Sequence, residues 1–176
     1  KKWVESLQLK LEKQKLSTVC EVKIDGFAIS VIYRDGDFTQ AITSGNGEVG
    51  DDVTANVKTI RNLPLKLKKA VSLELRGEIF LPKSKFSKIN ERKAEAGEPP
   101  FKNPRNAAAG TIRMKDPKIV AQRGLEVLLY DVVEGASTEL HSKNLEYLES
   151  LGLPINSHRK ACETGKEILD FCNQWQ

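Results

Sequence analysis

The spacing of apolar side chains changes character at Ser17. Before it, Val4, Leu7 and Leu11 recur at helical intervals among charged residues, which predicts a helix over Lys1–Gln14. A helix that starts at residue 1 without a cap reads as the tail of a preceding helical segment, residues 1–15. From Ser17 the period is two. Val19–Ile24 and Phe27–Tyr33 are rich in β-branched and apolar residues and predict strands. Arg34-Asp35-Gly36-Asp37 predicts a tight type I′ hairpin, because Asp-Gly tolerates positive φ, and Phe38–Thr43 returns as the partner strand. The glycine-rich stretch Gly45–Gly50 then leads to a short helix, capped by Asp51 or Asp52 and ending near Arg61.

Further along, Val71–Leu81 predicts a strand and Ser84 the cap of a helix from Lys85 to about Ala96, broken by Glu98-Pro99-Pro100. Pro104 and the alanines at 107–109 predict a short helix over Asn106–Arg113. Leu125–Val133 predicts an apolar strand. Ser142 opens a helix to Leu151, and Thr164 with Glu167 forms a capping box that opens the last helix. Strands come as hairpins mixed with helices, not as regular βαβ units. The expected class is α+β, with mainly antiparallel sheets and packed helices.

Composition narrows the setting. The 176 residues are 39% hydrophobic and 30% charged, as in a soluble globular domain. Apolar runs such as Val127–Tyr130 are too short to span a bilayer, and the charged N-terminus lacks a signal-peptide core. Three cysteines, Cys20, Cys162 and Cys172, argue against a disulfide framework and for a reducing, cytoplasmic setting. Their spacing, with His141 and His158 as the only histidines, does not make a zinc site, so no protein metal ligands are expected. Charge is unevenly spread. Between Lys102 and Leu125, Lys102, Arg105, Arg113, Lys115, Lys118 and Arg123 face Asp116 alone. That stretch carries +5 of a formal net charge of +4, leaving −1 for the rest. Such a concentration suits a polyanion or a solvated face.

Two segments carry candidate chemistry. In Cys20–Gly26, strand alternation puts Cys20, Val22 and Ile24 on one face and Glu21, Lys23 and Asp25 on the other. In Ser72–Ile79, Glu74, Arg76 and Glu78 share a face. If both polar faces line one groove, a lysine stands among carboxylates. A protonated amine is a poor nucleophile and carboxylates alone keep it protonated, so activation would need nearby positive charge.

Lys23-Ile24-Asp25-Gly26 is similar to the Lys-x-Asp-Gly motif of covalent nucleotidyltransferases. Around it, Cys20–Gly26, Asp52–Arg61, Leu75–Pro82 and Asn103–Arg113 resemble the NAD-dependent bacterial DNA ligases in order and spacing, over roughly Leu16–Gln176. The resemblance implies a partial adenylation domain over residues 16–176, with the nucleotidyltransferase (ATP-grasp-like) fold incomplete at its C-terminus. It implies that Lys23 attacks NAD to form lysyl-AMP. Glu21 would lie at the adenine, Glu78 at the ribose, and Asp25, Gly26 and Ser44 around the nucleotide. Arg105 and Arg113 would hold nicked double-stranded DNA, with magnesium offsetting phosphate charge. AMP would pass to the 5′-phosphate of the nick before the strand is sealed.

This sequence departs from the family where Thr43-Ser44-Gly45-Asn46-Gly47 stands for Thr-Arg-Gly-Asp-Gly. Ser44 replaces an arginine and Asn46 an aspartate. The nicotinamide-recognising segment would precede Lys1, two further lysine motifs would follow Gln176, and the remaining ligase domains would lie elsewhere in the intact chain. The fragment alone is therefore expected to be inactive. Two alternatives stand beside this reading. One is a catalytically silent DNA-binding or interaction module derived from a ligase, motivated by Ser44 and Asn46. The other is an ATP-dependent ligase or capping enzyme, which shares the lysine motif.

Overall fold

The computed structural model describes residues 2–10, 17–44 and 50–175. Its elements in chain order are α1 (Lys2–Lys10), β1 (Thr18–Glu21), β2 (Phe27–Arg34), β3 (Asp37–Thr43), α2 (Thr54–Val57), β4 (Leu73–Phe80), α3 (Lys83–Glu95), α4 (Pro104–Ile112), α5 (Pro117–Arg123), β5 (Glu126–Glu134), α6 (His141–Ser150), β6 (Arg159–Cys162) and α7 (Gly165–Asn173). The class is α+β with antiparallel sheets, as expected. The chain divides into two compact units: residues 1–23 with 156–176, and residues 24–155.

In the smaller unit, β1 and β6 pair antiparallel, from Thr18 opposite Cys162 to Glu21 opposite Arg159. The expected strand over Val19–Ile24 stops at Glu21. The backbone shows why. Val22 still donates to the His158 carbonyl at 3.1 Å, but its own carbonyl accepts from the Asn156 side chain at 2.7 Å. A side-chain amide takes over the ladder, and Val22–Asp25 continue without strand pairing. Strand alternation therefore does not extend to Lys23 and Asp25. At the other end, the Thr164 hydroxyl accepts from the Glu167 N–H at 3.2 Å, and the Glu167 carboxylate accepts from Glu163 and Thr164 at 2.7 and 3.1 Å, the anticipated capping box. Those backbone donors, Glu163 first, hold the Glu167 carboxyl below its ordinary range. The helix expected over Lys1–Gln14 is α1; residues 11–16 lie outside the described residues.

The larger unit is built on a four-stranded sheet in the order β3-β2-β4-β5. The β2–β3 hairpin turns through Asp35 at φ 50° and Gly36 at φ 85°, the positive angles expected of the Asp-Gly pair. Ile29, Val31 and Tyr33 of β2, Leu73, Leu75 and Ile79 of β4, and Val127 and Leu129 of β5 are buried. Burial drives the Tyr33 hydroxyl pKa well above its ordinary value, and the group donates to the Pro64 carbonyl at 2.6 Å. Helix α4 packs on β2 and β4, burying Ala107, Ala108 and Ile112.

Both outer strands are partly covered. Asp52 and Lys66 bridge to β3. The Asn62 amide donates to the Val127 carbonyl at 2.7 Å and accepts from its N–H at 3.1 Å, closing one outward position of β5. Leu129 N–H goes to the Pro154 carbonyl at 2.8 Å. Open strand edges recruit other chains, and these bonds reduce that exposure.

Several caps differ from expectation. The short helix ends at Val57, not Arg61, and its side-chain cap is missing; the Asp52 carboxylate instead accepts from the Thr54 N–H at 2.9 Å. Hydrogen bonds from Thr54 hold the Asp52 carboxyl below its ordinary range. Pro82 precedes α3, so Ser84 lies inside it rather than capping it, and Leu140 rather than Ser142 precedes α6. Asn103 caps α4 by accepting from Asn106 N–H at 2.8 Å, with Pro104 at the first position. Helix α5, capped by Asp116, has no counterpart among the expected elements, although Asp116-Pro117 is an initiation signal.

Candidate functional site

The larger unit presents a polar sheet face where β2 and β4 pair. Ala28 lies opposite Glu78, Ser30 opposite Arg76 and Ile32 opposite Glu74. Directly opposed residues share a face, so Glu78 and Arg76 stand opposite the small side chains of Ala28 and Ser30. Glu78 is buried, at 9% exposure, while Arg76 is exposed. An acceptor this deep requires a donor, and the Gly26 N–H donates to Glu78 Oε1 at 3.1 Å. Gly26 is there by necessity. A Cβ at this position would collide with the Ile79 carbonyl and approach the Glu78 side chain. The turn after Asp25 and strand β4 are thus pressed together, and the Glu78 carboxylate is fixed against that turn.

Tyr130 completes this face and was missed in the sequence, where Leu125–Val133 reads only as an apolar strand. Tyr130 is 38% exposed. Burial raises the hydroxyl pKa, the Glu78 carboxylate raises it further and Arg76 opposes, which puts phenol, carboxylate and guanidinium within electrostatic reach. The signal was an aromatic among aliphatics, but only the pairing of β4 with β5, irregular between Arg76 and Gly77, brings Tyr130 within electrostatic reach of Glu78.

Ser44 follows β3 directly. Its N–H donates to the Ala28 carbonyl at 3.4 Å, and Ala28 faces Glu78. Thr43 before it is buried; its hydroxyl accepts from the Asp51 N–H at 2.9 Å and its own N–H donates to the Asp51 carbonyl at 3.0 Å. Asn46 lies outside the described residues.

The two arginines occupy the ends of α4. Arg105, in the first turn, pairs with Asp25 at 3.1 Å, both side chains more than half exposed. Arg113, just past the last turn, pairs with Asp51 at 3.3 Å and lies 4.9 Å above the Phe27 ring. One helix therefore positions both arginines at its ends, and each is paired with a carboxylate.

Glu21 and Lys23 belong to the smaller unit and Asp25, Gly26, Ser44, Glu78, Arg105 and Arg113 to the larger. Glu21 closes β1 opposite Arg159, and Lys23 is exposed, one residue before the chain enters the larger unit. The expectation that Glu21, Lys23 and Asp25 share a strand face is corrected: β1 ends at Glu21, and Lys23 and Asp25 lie beyond it. Among the described residues no cluster of three or more His, Cys, Asp or Glu side chains is arranged to hold a metal ion. None of the described helices is long and apolar enough to cross a membrane.

A family model described as the NAD-dependent DNA ligase adenylation domain matches residues 1–176. A protein named DNA ligase from Listeria innocua is 48% identical over 162 residues, covering 91% of this chain and 24% of that protein. Proteins of the same name from Halalkalibacterium halodurans and Anoxybacillus flavithermus are 49% and 47% identical, over 89% of this chain and 24% of theirs. The chain spans about a quarter of the length of the curated relatives it matches.

Proposed function

The chain belongs to the NAD-dependent DNA ligase adenylation domain family, and from that premise we propose that it is the part of a DNA ligase that takes AMP from NAD onto Lys23. Residues 16–176 would be part of the adenylation domain and residues 1–15 the tail of a preceding segment. The observation that carries the reading is the family match along the whole chain, with Lys23 in the Lys-x-Asp-Gly motif.

In this reading the neutral Lys23 amine attacks the adenylyl phosphorus. The phosphorus–oxygen bond to nicotinamide mononucleotide breaks, the mononucleotide leaves with its phosphate, and the lysine nitrogen loses a proton to become a phosphoramidate. Glu78, held by the Gly26 N–H at 3.1 Å, keeps a second carboxylate oxygen for a ribose hydroxyl. The partly exposed Tyr130, within electrostatic reach of that carboxylate, would offer a purine a flat surface. Glu21 is assigned to the adenine, and Asp25 and Ser44 to the rim of the site. Magnesium would offset phosphate charge. It usually binds substrate phosphates and water rather than an all-protein cage.

AMP then passes to the 5′-phosphate of a nick, and the 3′-hydroxyl displaces it to seal the strand. Arg105 and Arg113 would exchange Asp25 and Asp51 for DNA phosphates. Exposed ion pairs contribute little, so the exchange costs little. Such a protein works in the cytoplasm on nicked double-stranded DNA, together with the other ligase domains. The intact protein, given NAD or ATP with magnesium, tests the donor: NAD should yield nicotinamide mononucleotide and adenylated protein. Adenylation by ATP alone would transfer the reading to the ATP-dependent enzymes.

A further inference from the structure

We propose that Asn56 is a positioning residue for Arg113; this rests on the reading above, in which Arg113 holds nicked DNA. Asn56 is buried, at 7% exposure. Its side-chain nitrogen donates to the Ile112 carbonyl at 2.7 Å and to the Met114 carbonyl at 2.8 Å. Those carbonyls belong to the residues on either side of Arg113, at the end of α4 where carbonyls run out of partners within the helix. A primary amide has two N–H donors, one for each carbonyl. Serine has one donor and an ionised aspartate none, so neither reproduces the clamp.

The amide is itself anchored. Val53 N–H donates to the Ala41 carbonyl of β3 at 2.9 Å, and Asn56 N–H donates to the Val53 carbonyl at 3.0 Å. The chain of hydrogen bonds runs from the central sheet through α2 to the backbone around Arg113. The Asp51 and Phe27 contacts are made at the guanidinium end of Arg113, whose side chain is 51% exposed. That head must leave Asp51 when it meets a phosphate. The backbone clamp can stay closed throughout, so it sets where the arginine points before and after the exchange. Misplacing such a group by about 1 Å costs on the order of a hundredfold in rate.

The test is a double-mutant cycle in the intact protein, reading both adenylation of Lys23 by NAD and sealing of a nicked duplex. Asn56→Ala should lower sealing by about tenfold to a hundredfold, leave adenylation near the parent value, and add nothing in the Arg113→Ala background. Asn56→Leu keeps a side chain of similar size without the donors and should match Asn56→Ala, which a packing role would not produce. If Asn56→Ala no longer adenylates, Asn56→Ser, which keeps one donor, is read in the same cycle. Effects of Asn56 and Arg113 that multiply, or adenylation that falls in step with sealing in every Asn56 variant, would overturn the positioning role. So would impaired sealing in Arg113→Ala with none in Asn56→Ala. Full sealing by Arg113→Ala would instead overturn the assignment of Arg113 to DNA, and the inference with it.

Discussion

Glu78 and Glu74 have the same chemistry on the same strand face, yet only Glu78 is buried, and the Gly26 N–H points at it. If Glu78 holds the ribose, Glu78→Ala should slow adenylation far more than Glu74→Ala. A charged hydrogen bond is worth roughly 1.5–3 kcal/mol, or about tenfold to over a hundredfold. Equal losses in single-turnover adenylation would dissociate Glu78 from the nucleotide. A second consequence concerns Tyr130, whose hydroxyl pKa is raised by burial and then by the Glu78 carboxylate. Removing that charge in Glu78→Gln should move the Tyr130 pKa downward, toward its ordinary value, in an ultraviolet or NMR titration. No movement would mean that the two do not face one another. Cys20 supplies a pH test for the smaller unit. Burial, followed by its hydrogen bond to Cys162, lifts the thiol pKa from 9.0 to about 11. The protonated thiol favours the folded state, so this contribution is intact below pH 9 and lost as pH rises toward 11. Near pH 8, exposed Cys172 should be alkylated well before Cys20. Glu78 was legible in the sequence through its motif. Tyr130 was not, because strand periodicity shows which face a residue takes and not which neighbour it meets.

Among the elements, those with strong local chemistry were readable: the Asp35-Gly36 hairpin, the Thr164 capping box and the apolar strands β2, β4 and β5. β6 was not, since Arg159-Lys160-Ala161-Cys162 has little of the apolar character of a strand and exists by pairing with β1. For the same reason β1 is shorter than its apolar pattern suggests: Asn156, distant in sequence, ends its ladder. Pairings at long sequence separation decide such boundaries, and local pattern does not contain them. Gly26 offers a stability test at this scale. Gly26→Ala puts a methyl group into the Ile79 carbonyl, which belongs to the backbone of a central strand and has nowhere to move. The larger unit should lose about 1–3 kcal/mol in chemical denaturation. Unchanged stability would show that β4 and the turn at Gly26 are not closely packed.

For the whole molecule, the local concentration of positive charge was visible in the sequence, and α4 displays Arg105 and Arg113 at its two ends. Removing an arginine that neutralises one phosphate should reduce the salt dependence of nicked-duplex binding, log K against log salt, by about 0.9. Arg105→Ala and Arg113→Ala should each show that reduction while adenylation stays closer to the parent value. Unchanged slopes in both would make the basic stretch a solvated face. The central claim is the identity of the nucleophile, and it is tested most directly by locating the AMP. The intact protein is incubated with NAD and magnesium, digested, and its peptides are mapped by mass spectrometry. The account predicts one AMP on the peptide containing Lys23, and none in Lys23→Arg, whose guanidinium stays protonated and cannot attack phosphorus. AMP on another residue, or an adduct that survives Lys23→Arg, would contradict it.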